Sequence, residues 1–232
     1  DESVAVIPDK IDQFVIPGDV IGRFTSNVKL GPGLSQQMSN IIATKAGLLK
    51  HRAPNKYWIE NKQKRYVPAL DEMVIGVVLE KHTEGFKVDI GSAYPAALGW
   101  EGFETSSRKN RVQWPPGSVI YGRVTLANKD MEPEIACKAS NGKAGGYGKL
   151  DGGIVVKCSL GLCRQLLSRD CPVLKYLGKR VPYEIAVGLN GRFWINSENA
   201  KHVILISNAI QRSEGLSEDQ VEEMVSKTID AA

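Results

Sequence analysis

The chain has 232 residues, 30 Lys/Arg against 26 Asp/Glu for a formal net charge of +4, 42% hydrophobic and 24% charged residues, a length that suits two or three small domains with separate cores. No apolar run is long enough to span a bilayer, and the N-terminus has no basic flank and apolar core of the signal-peptide kind, so nucleus or cytoplasm is the expected setting and a membrane role is excluded. Charge is unevenly placed, because residues 1–66 hold ten Lys/Arg against six Asp/Glu and the remainder balances.

The first segment, residues 1–66, is expected as a small β domain. Its basic excess is concentrated in Lys45, Lys50, Arg52, Lys56, Lys62, Lys64 and Arg65, with Glu60 the single acid and with Tyr57 and Trp58 interleaved. Such a stretch suits phosphates, and its aromatics either stack on bases or turn into the core. One phrase then recurs: IPGDVIGRF at 16–24, PALDEMVIGVV at 68–78 and PPGSVIYGRV at 115–124. Each is a proline-containing turn leading into an alternating strand that carries a glycine, as short curled sheets require.

Residues 67–146 read as five strands, MVIGVVLE, GFKVDI, LGWEGF, SVIYGRVTLA and EIACKA, the count of an OB-type barrel. Between the third and fourth, TSSRKNR puts Arg108, Lys109 and Arg111 on one loop, a candidate phosphate contact or a solvated loop. Glycine-rich KASNGKAGGYGKLDGG at 138–153 lacks phosphate-loop spacing and reads as a linker.

The last segment, residues 147–232, changes period. GIVVKC is a strand, SLGLCRQLLS and PVLKYLG are helices, PYEIAVG and RFWIN are strands, and ENAKHVILISNAIQR is a helix, giving the order β-α-α-β-β-α. A final helix from about 218 is marked by a Ser217/Gln220 capping box and should dock through Val221, Met224 and Val225. Between the second and third strands stands Gly188-Leu189-Asn190-Gly191. Asn-Gly between alternating apolar residues is a hairpin signal, although short G-x-x-G loops also clamp RNA.

Catalysis finds no constellation. His51, His82 and His202 are scattered, no phosphate-loop or H-E-x-x-H motif occurs, and neighbouring Asp71 and Glu72 should point to opposite strand faces. Cys137, Cys158, Cys163 and Cys171 do not form two C-x-x-C arms, so reduced, buried thiols are expected rather than zinc or disulfides, and no metal or cofactor is called for.

The β-α-α-β-β-α order resembles a type I KH domain, whose glycine clamp lies between the first two helices; here that position reads LSRDCP, with no glycine. A small β N-terminal domain, an S1-type OB barrel and a KH-like domain with displaced G-x-N-G together resemble the S1/KH cap subunits of the eukaryotic RNA exosome, fungal ones in particular. The fold implied is multidomain and mainly β with a C-terminal α+β part. The resemblance implies a non-catalytic RNA-binding subunit that stabilises a ring of RNase PH-like subunits. Its partners would be that ring, other cap subunits, single-stranded RNA and an exonuclease subunit reached through the complex, in nucleus and nucleolus and also cytoplasm. It implies a structural role for Gly188, Asn190 and Gly191. Candidate RNA contacts are Lys56, Lys62, Lys64, Arg65, Phe86, Arg108, Lys109 and Arg111. S1 domains commonly follow their aromatic strand with E-G-L-x-H-x-S; EGFETSS here has Thr105 in the histidine's place, which removes a stacking ring, while Ser107 fits. A free-standing S1/KH protein acting on ribosomes or messenger RNA is the alternative.

Overall fold

The computed structural model describes residues 10–104, 112–128 and 130–230, and the chain divides into two compact units, Asp1–Gln63 and Lys64–Ala232. In the first unit β1 (Phe14–Val15), β6 (Gly47–Arg52), β7 (Lys56–Glu60) and β3 (Lys29–Leu30) make one sheet in the order β1-β6-β7-β3. A second sheet joins β2 (Val20–Arg23), β5 (Asn40–Ala43) and β4 (Leu34–Gln37) in the order β2-β5-β4. In the β6–β7 hairpin, Leu49 lies opposite Ile59 and Lys50 opposite Trp58. Successive side chains point to opposite faces. Leu49 and Ile59 therefore join Val15, Ile21, Val28 and Ile41 in the core, while Lys50, Arg52, Lys56 and Trp58 take the other face.

The second unit opens with the barrel. β8 (Met73–Lys81), β9 (Gly85–Asp89), β10 (Ala96–Gly99), β11 (Val119–Leu126) and β12 (Glu134–Ala136) close on themselves, because β12 pairs with both β10 and β11. Val74, Val78, Val88, Ile90, Leu98, Ile120 and Val124 fill the interior. The three recurring phrases fold into one device. Asp19, Glu72 and Ser118 each donate a backbone N–H to the carbonyl three residues earlier, and the residue before each, Gly18, Asp71 or Gly117, has positive φ. This is the type II turn, which favours proline second and a left-handed residue third; the turns launch β2, β8 and β11.

Two expectations are corrected. The third barrel strand stops at Gly99, and Trp100–Gly102 form a 3-10 turn instead of continuing it. In such a turn residues three apart share a side, so Trp100 and Phe103 both reach Phe86; a strand would send them to opposite faces. The glycine-rich stretch is also more than a linker, since β13 (Gly148–Leu150) pairs antiparallel with β11 and Tyr147 stacks on Tyr121 at 5.3 Å. The barrel's sheet thus runs past the break that composition places at residue 146.

The KH part follows as β14 (Ile154–Lys157), α1 (Leu160–Leu166), α2 (Pro172–Gly178), β15 (Glu184–Gly188), β16 (Arg192–Asn196), α3 (Ala200–Arg212) and α4 (Glu218–Asp230), with an antiparallel sheet in the order β14-β16-β15. Ser159 caps α1 by accepting the Leu162 N–H, Pro172 begins α2, and Asn199 caps α3. At α4 the Ser217 N–H donates to Gln220 Oε1 at 3.0 Å, the return half of a capping box. Val221 and Val225 are buried against α2 and α3, with Met224 half-buried beside them.

Candidate nucleic-acid interface and the loop that joins barrel to KH

On the outer face of the first unit's larger sheet, β-pairing sets Arg52 directly opposite Lys56, and Lys56 opposite Lys29 on its other side. All three are exposed, and among the described residues none is paired with a carboxylate. Like charges directly opposite one another on a sheet repel, so this row is a place where an anion relieves strain. Trp58, two residues on from Lys56, shares that face and is half-buried; Lys50 opposite it is occupied by Asp12 at 2.6 Å. Tyr57 points the other way, packing on the core with its ring 4.5 Å from His51, and is removed from base stacking. Lys45 bonds Gln63 at 2.9 Å. Lys62 is exposed in the first unit, and Lys64 and Arg65 are exposed in the second. Lys29 lies outside the basic run in sequence; only the parallel β3–β7 pairing brings it into the row.

In the barrel the structure revises the aromatic site. Phe86 is 3% exposed, stacked on Trp114 at 5.5 Å and meeting Trp100 and Phe103 edge to face. A ring enclosed by three others offers no face to a base, so Phe86 is a core residue here. The accessible aromatic edge belongs to half-buried Trp100, whose indole N–H donates to the Thr83 carbonyl at 2.7 Å and whose ring lies 5.9 Å from Lys81 Nζ. A groove of about 770 Å³ opens beside it, lined among others by His82, Lys87, Trp100, Glu101, Glu134 and Lys138. With Glu84 and Glu132 its carboxylates outnumber its lysines, so it does not favour phosphate. Thr105, Ser107, Arg108, Lys109 and Arg111 lie outside the described residues.

The G-x-N-G stretch forms the turn between β15 and β16, and its side chain is spent on the barrel. Asn190 is 6% exposed. Its Oδ1 accepts the Ile75 N–H at 3.1 Å, while Nδ2 donates to the Ile75 carbonyl at 2.8 Å and to the Ile90 carbonyl at 2.9 Å. The physical reason is a strand that ends early. β9 pairs Asp89 with Val77 and then turns away at Gly91, leaving Ile75 without a ladder partner on that edge; the Asn190 amide, which carries the same donor and acceptor as a peptide, takes the vacant place. Both glycines are forced. A Cβ on Gly188 would collide with Asn190 Oδ1 and lie 2.7 Å from the Ile75 nitrogen, and Gly191 has φ +75 with the Cys158 carbonyl 2.9 Å from where its Cβ would stand.

Further bonds widen the joint. The Leu189 N–H donates to the Met73 carbonyl at 2.7 Å, and Tyr121 Oη–H to the Val187 carbonyl at 3.3 Å. Arg192, 8% exposed, donates to Asp89 Oδ2 at 2.7 Å and to the Asp89 carbonyl at 2.9 Å. Burial pushes the Asp89 carboxyl up, but the Arg192 hydrogen bond, the Gly91 N–H and the guanidinium charge outweigh it and hold the group below its usual range. Arg192 is the joint residue that sequence reasoning missed; its position directly after the glycine was the available signal. At the usual KH clamp position, the segment between α1 and α2 carries no glycine, in keeping with its sequence.

Comparison with known proteins fits this architecture. Residues 66–148 match the S1 domain of exosome complex component RRP40, residues 153–201 match a KH domain, and residues 28–65 match the family described as exosome complex exonuclease Rrp40 N-terminal domain. An assigned exosome complex component rrp40 of Dictyostelium discoideum is 50% identical over 94% of this chain and 93% of its own. The chain belongs to the RRP40 family of exosome complex components. The Schizosaccharomyces pombe exosome complex component rrp40 is 42% identical, covering 88% of each chain. A solved structure assigned as an exosome complex RNA-binding protein shares the fold, with TM-score 0.60 at 21% identity over 72% of this chain and 99% of that one. Like the family's domains, the chain is an N-terminal β domain, an S1 barrel and a KH domain. Among the described residues, no helix is long and apolar enough to cross a membrane.

Proposed function

We propose that this chain is a non-catalytic RNA-binding cap subunit of the RNA exosome, which braces a ring of RNase PH-like subunits and guides single-stranded RNA toward an exonuclease on another chain. The observation that carries this reading is likeness to RRP40 proteins along nearly the whole sequence. The geometry supports a passive role for the KH part, because its G-x-N-G side chain is occupied by the barrel and its helix–helix segment lacks a glycine clamp. RNA would instead be held by charge, through Lys29, Arg52 and Lys56 with Trp58 beside them, and through Lys62, Lys64 and Arg65, with Arg108, Lys109 and Arg111 as further phosphate contacts. Such contacts do not read sequence. The expected setting is nucleus, nucleolus and cytoplasm.

The test is native purification of the tagged chain at moderate salt, with the proteins held in stoichiometric amount identified by mass spectrometry. Recovery with RNase PH-like subunits, other cap subunits and a separate nuclease supports the assignment. Recovery alone or with ribosomes sinks it in favour of a free-standing S1/KH protein. Within the recovered complex, charge reversal of Lys62, Lys64 and Arg65 should lower RNA crosslinking to this subunit while leaving its folding intact.

A further inference from the structure

Cys158 and Cys163 lie at the junction of β14 and α1, on either side of the Ser159 cap, with their sulfurs 3.2 Å apart. Among the described residues this is the one contact between cysteine sulfurs; Cys137 is buried in the barrel with its thiol pushed up to about 12 by burial, and Cys171 is buried at the start of α2. Cys158 is partly exposed and Cys163 fully buried. We propose that Cys158 and Cys163 form a reversible dithiol–disulfide modification site, oxidised by small peroxides, beside the G-x-N-G turn that joins the KH domain to the barrel.

The chemistry balances without a metal. A peroxide takes two electrons from the more accessible Cys158 sulfur, which becomes a sulfenic acid as the peroxide O–O bond breaks and one water, or alcohol, leaves. The Cys163 sulfur then attacks that sulfur, a disulfide forms, and the second water departs with the remaining thiol proton. Exposure sets this division of labour: Cys158 is the member of the pair that reaches the surface and meets the peroxide first, and buried Cys163, with its sulfur 3.2 Å away, is in place to resolve it. Bonding requires the sulfurs to close to about 2.05 Å, a movement of Cys158 toward α1. The Cys158 N–H donates to the Gly191 carbonyl at 2.9 Å, so that movement acts on the residue next to Asn190 and slackens the turn.

The sequence supplies a direct assay, because trypsin cleaves after Lys157 and Arg164 and releases CSLGLCR with both thiols in one peptide. The intact chain is treated with hydrogen peroxide, blocked with an alkylating reagent, digested and weighed. The expected product is this peptide, unalkylated and lighter by two hydrogens, restored to the doubly alkylated form by prior reduction and appearing at lower peroxide than oxidation of Cys137 or Cys171. A peptide that stays doubly alkylated at doses that oxidise Cys171 overturns the proposal. Because this readout uses the unaltered chain, it does not depend on a variant folding. Cys163→Ala should trap Cys158 as a sulfenic acid detectable with a dimedone-type probe. Hydrogen exchange at Ile75 should quicken in the oxidised chain; unchanged exchange would refute the link to the turn.

Discussion

Asn190→Ala tests what the G-x-N-G loop is for. Removing the amide leaves the Ile75 N–H and the Ile75 and Ile90 carbonyls without the partners they have at 3.1, 2.8 and 2.9 Å. A buried polar group left unpaired costs about 1–3 kcal/mol, and water entering the vacated space offsets part of it, so the joint should lose about 3–5 kcal/mol, the upper end for one substitution. The full chain contains several domains and will not unfold in one step, so the assay is hydrogen exchange resolved to β8. The Ile75 amide should exchange faster by about a hundredfold or more, and the KH domain should become sensitive to protease at lower urea. Asn190→Asp separates shape from bonding. Its carboxylate still accepts from Ile75 N–H but confronts two carbonyl oxygens with no donor, so near neutral pH it should be at least as damaging as alanine. Native exchange in the alanine variant together with lost RNA binding would refute the reasoning and make the loop a clamp.

Gly188→Ala should quicken exchange at Ile75 at least as much as Asn190→Ala, and the double variant should lose more than Asn190→Ala alone, since the new methyl would also stand 2.7 Å from the Ile75 nitrogen, a backbone clash that removing the amide does not relieve. Neutralising Lys29, Arg52 and Lys56 together to glutamine should flatten the log–log salt dependence of single-stranded RNA binding by about 2 units if each meets one phosphate; an unchanged slope would remove the row from the RNA path. The Asp89–Arg192 bond makes the joint acid-sensitive. Because the folded carboxyl titrates below its unfolded value of about 3.9, its contribution is present above that value and is lost as pH falls through the folded one. Urea midpoints of the unaltered chain and Asp89→Asn, measured on the joint from about pH 5 to about pH 3, should differ at the higher pH and converge at the lower.

The sequence by itself determined the domain plan and most element positions, because these rest on local chemistry. Proline turns ahead of β2, β8 and β11, alternation in the barrel strands and the capping box of α4 are all short-range signals. Asn190-Gly191 was legible as a hairpin for the same reason. What the tertiary structure decided depends on partners far apart in the chain. That Asn190 completes the ladder of β8 follows from β9 turning away about a hundred residues earlier. That Phe86 is enclosed follows from Trp100, Phe103 and Trp114 converging on it, which required a 3-10 turn where alternation suggested a strand. Lys29 joins Arg52 and Lys56 only because β3 runs parallel to β7. Periodicity tells which face a side chain takes, whereas strand pairing and the point where a strand ends determine what it meets there.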